Sequence, residues 1–156
     1  MGRREHFHDP DAPPPNRIVV AAVAFIQDDQ SRVLLVERSD NGLWALPGGR
    51  QDAGEYIART AERETWEETG YRVQVTDLIG VYSDPAHLIA YDDGEVRQQF
   101  ALSFRAELVG GSRALSDETP DVRWVAADDM DSVPMHPSIR LRIDHGLDRR
   151  ARPYIG

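Results

Sequence analysis

Three glutamates, Glu64, Glu67 and Glu68, are spaced at i, i+3 and i+4 within a stretch of good helix formers. On a helix, this spacing brings their Cβ atoms within about 5–6 Å of one another on one face. Such like charges destabilise an isolated helix by about 0.2–0.5 kcal/mol per pair, and a divalent cation between them removes the repulsion. Carboxylates without Cys or His among them suit Mg²⁺ or Mn²⁺ rather than Zn²⁺. Since Mg²⁺ keeps positions for water and phosphate oxygens, the spacing predicts a site where a metal ion meets a phosphate.

The residues around these acids favour this chemistry over its alternative, a solvated acidic helix face that binds a partner. A Gly48-Gly49 turn lies upstream, where the absence of side chains allows a ligand to approach the backbone closely. Arg63, directly before Glu64, can hold a carboxylate or a phosphate through two parallel hydrogen bonds. The turn, the arginine and the acids together therefore indicate a phosphate-handling site.

Alternating strand and helix signals surround this segment and predict a mixed sheet flanked by helices. The acids belong to a helix predicted over residues 54–69, which Gly70 ends. Residues 18–27 predict a strand buried on both faces, joined in a hairpin to a strand at 33–37. The remaining predictions are strands at 73–82, 100–109 and 122–126, a helix at 137–147, and polar loops at 84–95 and 112–120.

Composition limits the classes of function. The chain has 156 residues, a net charge of −9 and no Cys, which excludes disulfides and thiolate metal sites and disfavours nucleic acid as a partner. The longest apolar run, residues 18–26, is far shorter than the ~20 residues that cross a bilayer, and acidic and Pro-rich residues before it disfavour a secretory signal. We therefore expect a cytoplasmic protein without membrane contact, with one domain over residues 17–156 after a flexible arm at 1–16.

The segment from Gly49 to Tyr71 resembles the Nudix box of the MutT-like hydrolases. All seven fixed positions of that 23-residue pattern are present: Gly49, Glu55, Arg63, Glu64, Glu67, Glu68 and Gly70. One departure is Thr65, where the family tolerates an apolar residue, and this change concerns packing more than chemistry. Residues 44–49 and 123–126 also look like the segments that precede and follow the box in that family.

This resemblance implies a Nudix-type α/β/α sandwich with a mixed central sheet. It also implies Mg²⁺- or Mn²⁺-dependent hydrolysis of a phosphoanhydride in a nucleoside diphosphate linked to another group. By position, Glu64, Glu67, Glu68 and the carbonyl of Gly49 would hold the ions, while Arg63 and Glu55 would orient the carboxylates. The alternative is a catalytically silent module of the same fold that binds a nucleotide metabolite.

Several assignments stay open at this point. The general base is Glu118, in a loop six residues before Trp124, or Glu95, in the other polar loop. Arg38 and Arg50 could contact phosphates or be surface charges, and Trp44 could stack on a base or belong to the core.

The substrate also stays open. It is a small-molecule nucleotide, either of the ADP-ribose or nucleotide-sugar type or a (d)NTP. Pro85 is near the position where ADP-ribose-cleaving members often have a proline, but a proline at this position could equally serve only to end a strand. A homodimer is compatible with the resemblance.

Overall fold

The computed structural model describes residues 2–156, in which two sheets pack between two α-helices. The strands are β1 Arg3–Phe7, β2 Arg17–Ile26, β3 Val33–Glu37, β4 Trp44–Ala45, β5 Gly48–Arg50, β6 Tyr71–Tyr82, β7 His87–Tyr91, β8 Val96–Gly111, β9 Val122–Val125 and β10 Tyr154–Ile155. The α-helices are α1 Ile57–Thr69 and α2 Pro137–Asp148, and a 3-10 helix spans Ala127–Ser132. The larger sheet has the order β1-β7-β8-β2-β5, with β6 beside β8 and β10 beside β6, and the smaller has the order β4-β3-β9.

Strand β2 forms the centre of the molecule and confirms the predicted two-sided burial over residues 22–26. It runs parallel to β8 for ten residue pairs, whereas β6 and β7 run antiparallel to β8, so the larger sheet is mixed. Ala22, Ala24 and Ile26 belong to the cluster that contains Ala61 of α1. Val23 and Phe25 belong to the cluster that contains Ile143 of α2. One helix thus covers each face, which confirms the predicted α/β/α architecture.

The predicted hairpin between residues 18–27 and 33–37 is wrong. β2 and β3 belong to different sheets; near the turn an isolated bridge pairs Gln27 with Val33, and the N–H of Asp28 donates to the carbonyl of Arg32 at 3.0 Å. β3 pairs instead with β4 and β9. Its residues 33–36 are at most 2% exposed because both faces are covered: Leu34 and Val36 belong to the cluster on the α1 side, and Val33 and Leu35 to the cluster on the α2 side.

The flexible arm expected over residues 1–16 also differs from the structure, because Arg3–Phe7 form an edge strand. This strand pairs antiparallel with β7, which lies inside the predicted polar loop at 84–95. Leu88 and Ile89 of β7 are buried since β7 has β1 on one side and β8 on the other. The two errors have one cause: β1 and β7 pair with each other across 80 to 88 positions of the sequence, a distance beyond any local pattern.

Helix α1 begins three residues later than predicted and ends as predicted. Gly54 has a φ of +89°, a left-handed conformation outside the helix. At the other end Gly70, with a φ of +78°, donates its N–H to the carbonyl of Trp66 at 2.9 Å. Thr65 is fully buried, and its hydroxyl donates to the carbonyl of Ala61 at 2.7 Å, so this departure from the box leaves no unpaired polar group. Within residues 2–156 no helix has the length and hydropathy to cross a membrane.

Candidate active site

A cleft of 510 Å³ lies where the end of α1, strand β5, the loop after β8 and helix α2 meet. Glu68 comes from α1, Gly48 and Gly49 from β5, Glu118 from the loop and Arg142 from α2. These residues are separated by up to 94 positions in the chain, and the sheet brings them to one opening. The cleft has polar groups at the acidic end and apolar side chains such as Ile139 towards α2, which suits a ligand with a charged part and a less polar part.

The glycine turn and the acidic helix are in direct contact. The N–H of Gly48 donates to a carboxylate oxygen of Glu68 at 3.3 Å. A Cβ atom added to Gly49 would lie 2.6 Å from the carboxylate carbon of Glu64, closer than real Cβ contacts allow. Glycine at position 49 is therefore required for the Glu64 carboxylate to lie against β5.

Arg63 organises the carboxylates at the edge of this group. Its guanidinium donates to both oxygens of Glu55, at 3.0 and 2.9 Å, and to the carbonyl of Arg50 at 3.2 Å. Its Nη1 also donates to Glu64 at 2.9 Å and to Glu67 at 3.1 Å. Glu55 accepts further bonds from the Thr60 hydroxyl and from a backbone N–H. The box arginine and glutamate thus form a fixed clamp beside Glu64 and Glu67.

The electrostatics differ sharply within the group. Arg63 and the other donors lower the pKa of Glu55 to about 2. Burial, together with the like charges of Glu64 and Glu118, raises the pKa of Glu68 to about 8. Burial also raises the pKa of Glu64 against the opposing effect of Arg63. Carboxylates that resist ionisation beside one another form a site that gains strongly from a bound cation.

The two candidate bases lie in different surroundings. The backbone of Glu118 accepts the N–H of Ser39 at 3.2 Å, and the hydroxyl of its neighbour Thr119 donates to the carbonyl of Glu68 at 2.7 Å. These bonds hold Glu118 at the cleft, where its charge acts on Glu64 and Glu68. Glu95 does not line the cleft; its carboxylate pairs with Arg97 and, at 3.4 Å, with Arg17. The geometry favours Glu118.

The three residues predicted to bind substrate are placed differently. Arg38 lines the cleft, where both of its hydrogen-bonded nitrogens bind Asp40, at 2.9 and 2.6 Å. Arg50 lines the outer part of the cleft with an exposed side chain. Trp44 is 7% exposed, packs in the core beneath the guanidinium of Arg123 and lines only a small recess beside the cleft. The structure thus brings both arginines to the cleft and gives Trp44 a core position.

The structure contains a second cluster of possible metal ligands, which the sequence did not predict: Glu5, His87 and His136. Their nearest oxygen and nitrogen atoms lie within 4.8 Å of one another, a donor set that suits Zn²⁺ more than Mg²⁺. Nδ1 of His136 accepts the backbone N–H of Ser138 at 3.1 Å, which leaves the proton of the neutral ring on Nε2, facing Glu5. His87 contacts the same carboxylate oxygen at 2.6 Å. In this arrangement the histidines serve Glu5 as hydrogen-bond donors. No local signal could reveal the cluster, because β1, β7 and α2 meet only in the folded chain.

Comparisons with known proteins agree with this fold and site. The NUDIX domain model matches residues 17–145. A MutT-like protein of Streptomyces ambofaciens is 37% identical over 144 residues, which cover 92% of this chain and 84% of that protein. An ADP-ribose pyrophosphatase of Methanocaldococcus jannaschii is 30% identical, with 80% of this chain and 67% of that protein covered. A NUDIX hydrolase from Nitrosomonas europaea shares the fold, with a TM-score of 0.70, 23% identity and coverage of 88% and 93%. The chain belongs to the Nudix hydrolase family.

Proposed function

We propose that this protein hydrolyses a phosphoanhydride bond of a nucleoside diphosphate linked to another group, with Mg²⁺ or Mn²⁺ held by Glu64, Glu67 and Glu68. The observation that carries the proposal is the crowding of Glu64, Glu68 and Glu118 at one end of the cleft. Burial, together with repulsion from Glu64 and Glu118, raises the pKa of Glu68 to about 8. The alternative reading, an acidic helix face in bulk solvent, does not account for the burial of Glu68 or its contact with Gly48.

The carboxylate donor set and the glycine at position 49 fit a hard divalent ion. When bound, such an ion neutralises the diphosphate and lowers the pKa of an attacking water. Arg63 holds Glu64 and Glu67 in place through Nη1, so that their geometry does not change with their charge. Glu118, at the mouth of the same cleft, would accept the proton from water, and Arg38 and Arg50 would contact phosphate oxygens.

Support for a substrate class comes from the relatives of this chain. The relative from Methanocaldococcus jannaschii is named an ADP-ribose pyrophosphatase, which supports a substrate of the ADP-ribose type. Pro85 lies in the turn between β6 and β7, exposed and remote from the cleft lining, so it adds no structural support to that choice. We propose ADP-ribose and nucleotide sugars as the first compounds to test, with (d)NTPs as the second group. The cytoplasmic location and a homodimer also belong to this proposal.

The decisive experiment is a product-resolved assay with Mg²⁺ on both groups of nucleotides, for the wild-type protein and for Glu67→Gln. We expect kcat/KM to fall by about 100-fold or more in this variant, since it removes a charged metal ligand that has no other structural role than its bond to Arg63. Glu107→Gln, an exposed change of the same charge on β8, is the matched control and should keep full activity. ADP-ribose would yield AMP and ribose 5-phosphate, whereas an NTP would yield NMP and pyrophosphate.

The same assay distinguishes the alternative, a silent nucleotide-binding module. Such a module would gain thermal stability from a nucleotide and Mg²⁺ without forming product. If no anhydride in either group is cleaved in a manner that depends on Glu67, the hydrolase proposal is wrong.

A further inference from the structure

Arg142, in the middle of α2, is a buried cation without a protein partner. Arg142 is 7% exposed and lines the cleft on the side opposite the acidic helix. Within residues 2–156 no carboxylate lies within 4.0 Å of it, and its Nε–H is fully buried without a hydrogen-bond acceptor. Its guanidinium carbon lies 5.1 Å from the ring centre of Tyr82, a cation–π contact that provides no acceptor for the buried Nε–H.

Such an arrangement costs stability. Burial of an unpaired charge costs desolvation free energy, and burial of a donor without an acceptor costs a further desolvation free energy. Burial lowers the pKa of Arg142 to about 10, so the side chain is still a cation at neutral pH. Among the other arginines that line the cleft, Arg3 and Arg38 pair with Asp40 and Arg97 pairs with Glu95, whereas Arg50 is exposed to solvent. Arg142 therefore differs from its neighbours in having its binding capacity free.

The nearest acid is not available to Arg142. Glu5 acts on it only through space, and the Glu5 carboxylate is engaged by His87 at 2.6 Å and faces His136 at 3.5 Å. The tautomer of His136, which is set by its bond to Ser138, keeps an N–H directed at Glu5. These two histidines hold Glu5 away from Arg142.

There is room for a ligand beside the guanidinium. A recess of 80 Å³ adjoins the cleft and is lined by Arg142, Arg3, Arg38, Glu5 and Gln99, among others. A water molecule needs about 10–15 Å³ by this measure, so the recess accommodates a group of several heavy atoms. Its lining contains three arginines and one acid, and Asp40 pairs with two of these arginines, Arg3 and Arg38. Three positive charges against two negative ones leave a balance that favours an anion over a cation.

We propose that Arg142 forms an anion subsite, which binds a phosphate or carboxylate group on the part of the substrate remote from the hydrolysed bond. This inference rests on the proposed function for the position of the substrate, because the diphosphate would then lie at the acidic end of the same cleft. It extends that function by naming the substrate class: a nucleoside diphosphate derivative with a second, distal anionic group. An anion fits better than a neutral carbonyl because it both compensates the buried charge and accepts its N–H bonds.

The first test uses inorganic phosphate as the probe and protein that has been freed of divalent ions with EDTA and then dialysed against metal-free buffer, so that neither a metal ion nor EDTA affects phosphate binding. Calorimetric titration of the wild-type protein should show saturable binding, and Arg142→Met should weaken it by about tenfold or more. Arg59→Met, which removes the same charge from an exposed position on α1 outside the cleft, is the matched control and should bind as the wild type does. Wild-type protein without saturable binding, or Arg142→Met with unchanged binding, would overturn the proposal.

A second readout needs no variant. The Nε–H of Arg142 is shielded from solvent, so its ¹H–¹⁵N resonance is expected to be observable and to shift on titration with phosphate. A resonance that stays in place during phosphate titration contradicts the subsite. Thermal unfolding distinguishes this role from a purely structural one. Arg142→Met should unfold at the same temperature as the wild type or a higher one, since it removes an unpaired buried charge, whereas loss of a structural arginine would lower the unfolding temperature.

The last experiment distinguishes a failure of this inference from a failure of the proposed hydrolase activity. With Mg²⁺ present, ADP-ribose is compared with ADP-ribose that bears one additional phosphate on its distal ribose. The wild type should prefer the phosphorylated compound by about tenfold or more in kcat/KM, and in Arg142→Met the ratio of the two kcat/KM values should fall towards one. If neither compound is cleaved but phosphate still binds to the metal-free protein, the hydrolase proposal fails and the subsite stands. Cleavage without any preference in the wild type overturns the inference about the substrate.

Discussion

At the scale of single residues, neighbours alone decide how each box glutamate behaves. Glu55 and Glu68 lie 13 positions apart and have the same side chain, yet the pKa of Glu55 falls to about 2 and that of Glu68 rises to about 8. Glu55 accepts four hydrogen bonds, two from Arg63 and one each from Thr60 and a backbone N–H, whereas Glu68 is buried beside two other acids. Of these two glutamates, Glu68 therefore needs a cation that the chain itself does not supply.

This difference predicts how stability depends on pH. Because the pKa of Glu68 is about 8 in the folded protein against an ordinary 4.5, the folded state binds more protons between these values. The stability that depends on protonated Glu68 is therefore complete below pH 4.5 and is lost as the pH rises towards 8. In EDTA, thermal unfolding of the wild type should show this decline, and Glu68→Gln should lack it.

Divalent ions supply the control for that prediction. Since Mg²⁺ or Mn²⁺ takes the place of the proton, saturating ion should raise the unfolding temperature of the wild type most at pH 8 and least near pH 5. Identical pH profiles of the wild type and Glu68→Gln in EDTA would show that Glu68 ionises without strain and would contradict the prediction.

At the scale of elements, the site depends on how closely β5 approaches α1. Gly70 ends the helix directly after the acids, and the hydrogen bond from Gly48 to Glu68 joins the helix to the strand. The contact between Gly49 and Glu64 is tighter than any other side chain would permit. Gly49 thus matters because it lacks a side chain, which lets the Glu64 carboxylate lie close to the backbone of β5.

Replacing Gly49 by alanine should therefore damage metal binding more than folding. The added Cβ meets the far end of a flexible side chain, the carboxylate of Glu64, which can move aside at little cost. We expect the affinity for Mn²⁺ to fall by about tenfold or more, with a change in unfolding free energy of about 1 kcal/mol or less. Electron paramagnetic resonance of free Mn²⁺ measures the first quantity and chemical denaturation the second.

Gly110→Ala provides the comparison, because no atom lies within 4 Å of the Cβ added there and its backbone is not left-handed. This variant should bind Mn²⁺ as the wild type does. Equal Mn²⁺ affinity in both variants would mean that the position of Glu64 against β5 does not matter for the ion.

At the scale of the whole molecule, the cleft is closed by segments from both ends of the chain. β1 supplies Arg3 and Glu5, β7 supplies His87, the N-cap of α2 supplies His136, and α2 itself supplies Arg142. Phe7 packs edge-on against the rings of His87 and His136, with centroids 5.2 and 5.0 Å away. The first strand thus covers an edge of the sheet and completes the wall of the anion recess.

Deletion of residues 2–8 should consequently lower both stability and the order of this wall. The loss of five paired strand residues and of the Phe7 contacts is expected to cost about 1–3 kcal/mol, or several degrees in unfolding temperature. Amide hydrogen exchange should accelerate in β7, which would become the edge strand, and stay unchanged in α1. An unaltered unfolding temperature with unaltered exchange in β7 would show that the N-terminal segment contributes nothing.

The sequence by itself determined the parts of this protein that local spacing encodes. The acids of α1, the stop at Gly70 and the buried centre of β2 follow from periodicity and residue type, and the seven positions of the box identified the family before any fold was known. Tertiary structure alone decided the partnership of β1 with β7, the separation of β2 and β3 into two sheets, and the solitary guanidinium of Arg142. The physical reason is that helix and turn signals arise between residues a few positions apart. Strand pairing and the burial of a charge depend instead on groups that only the folded chain brings together.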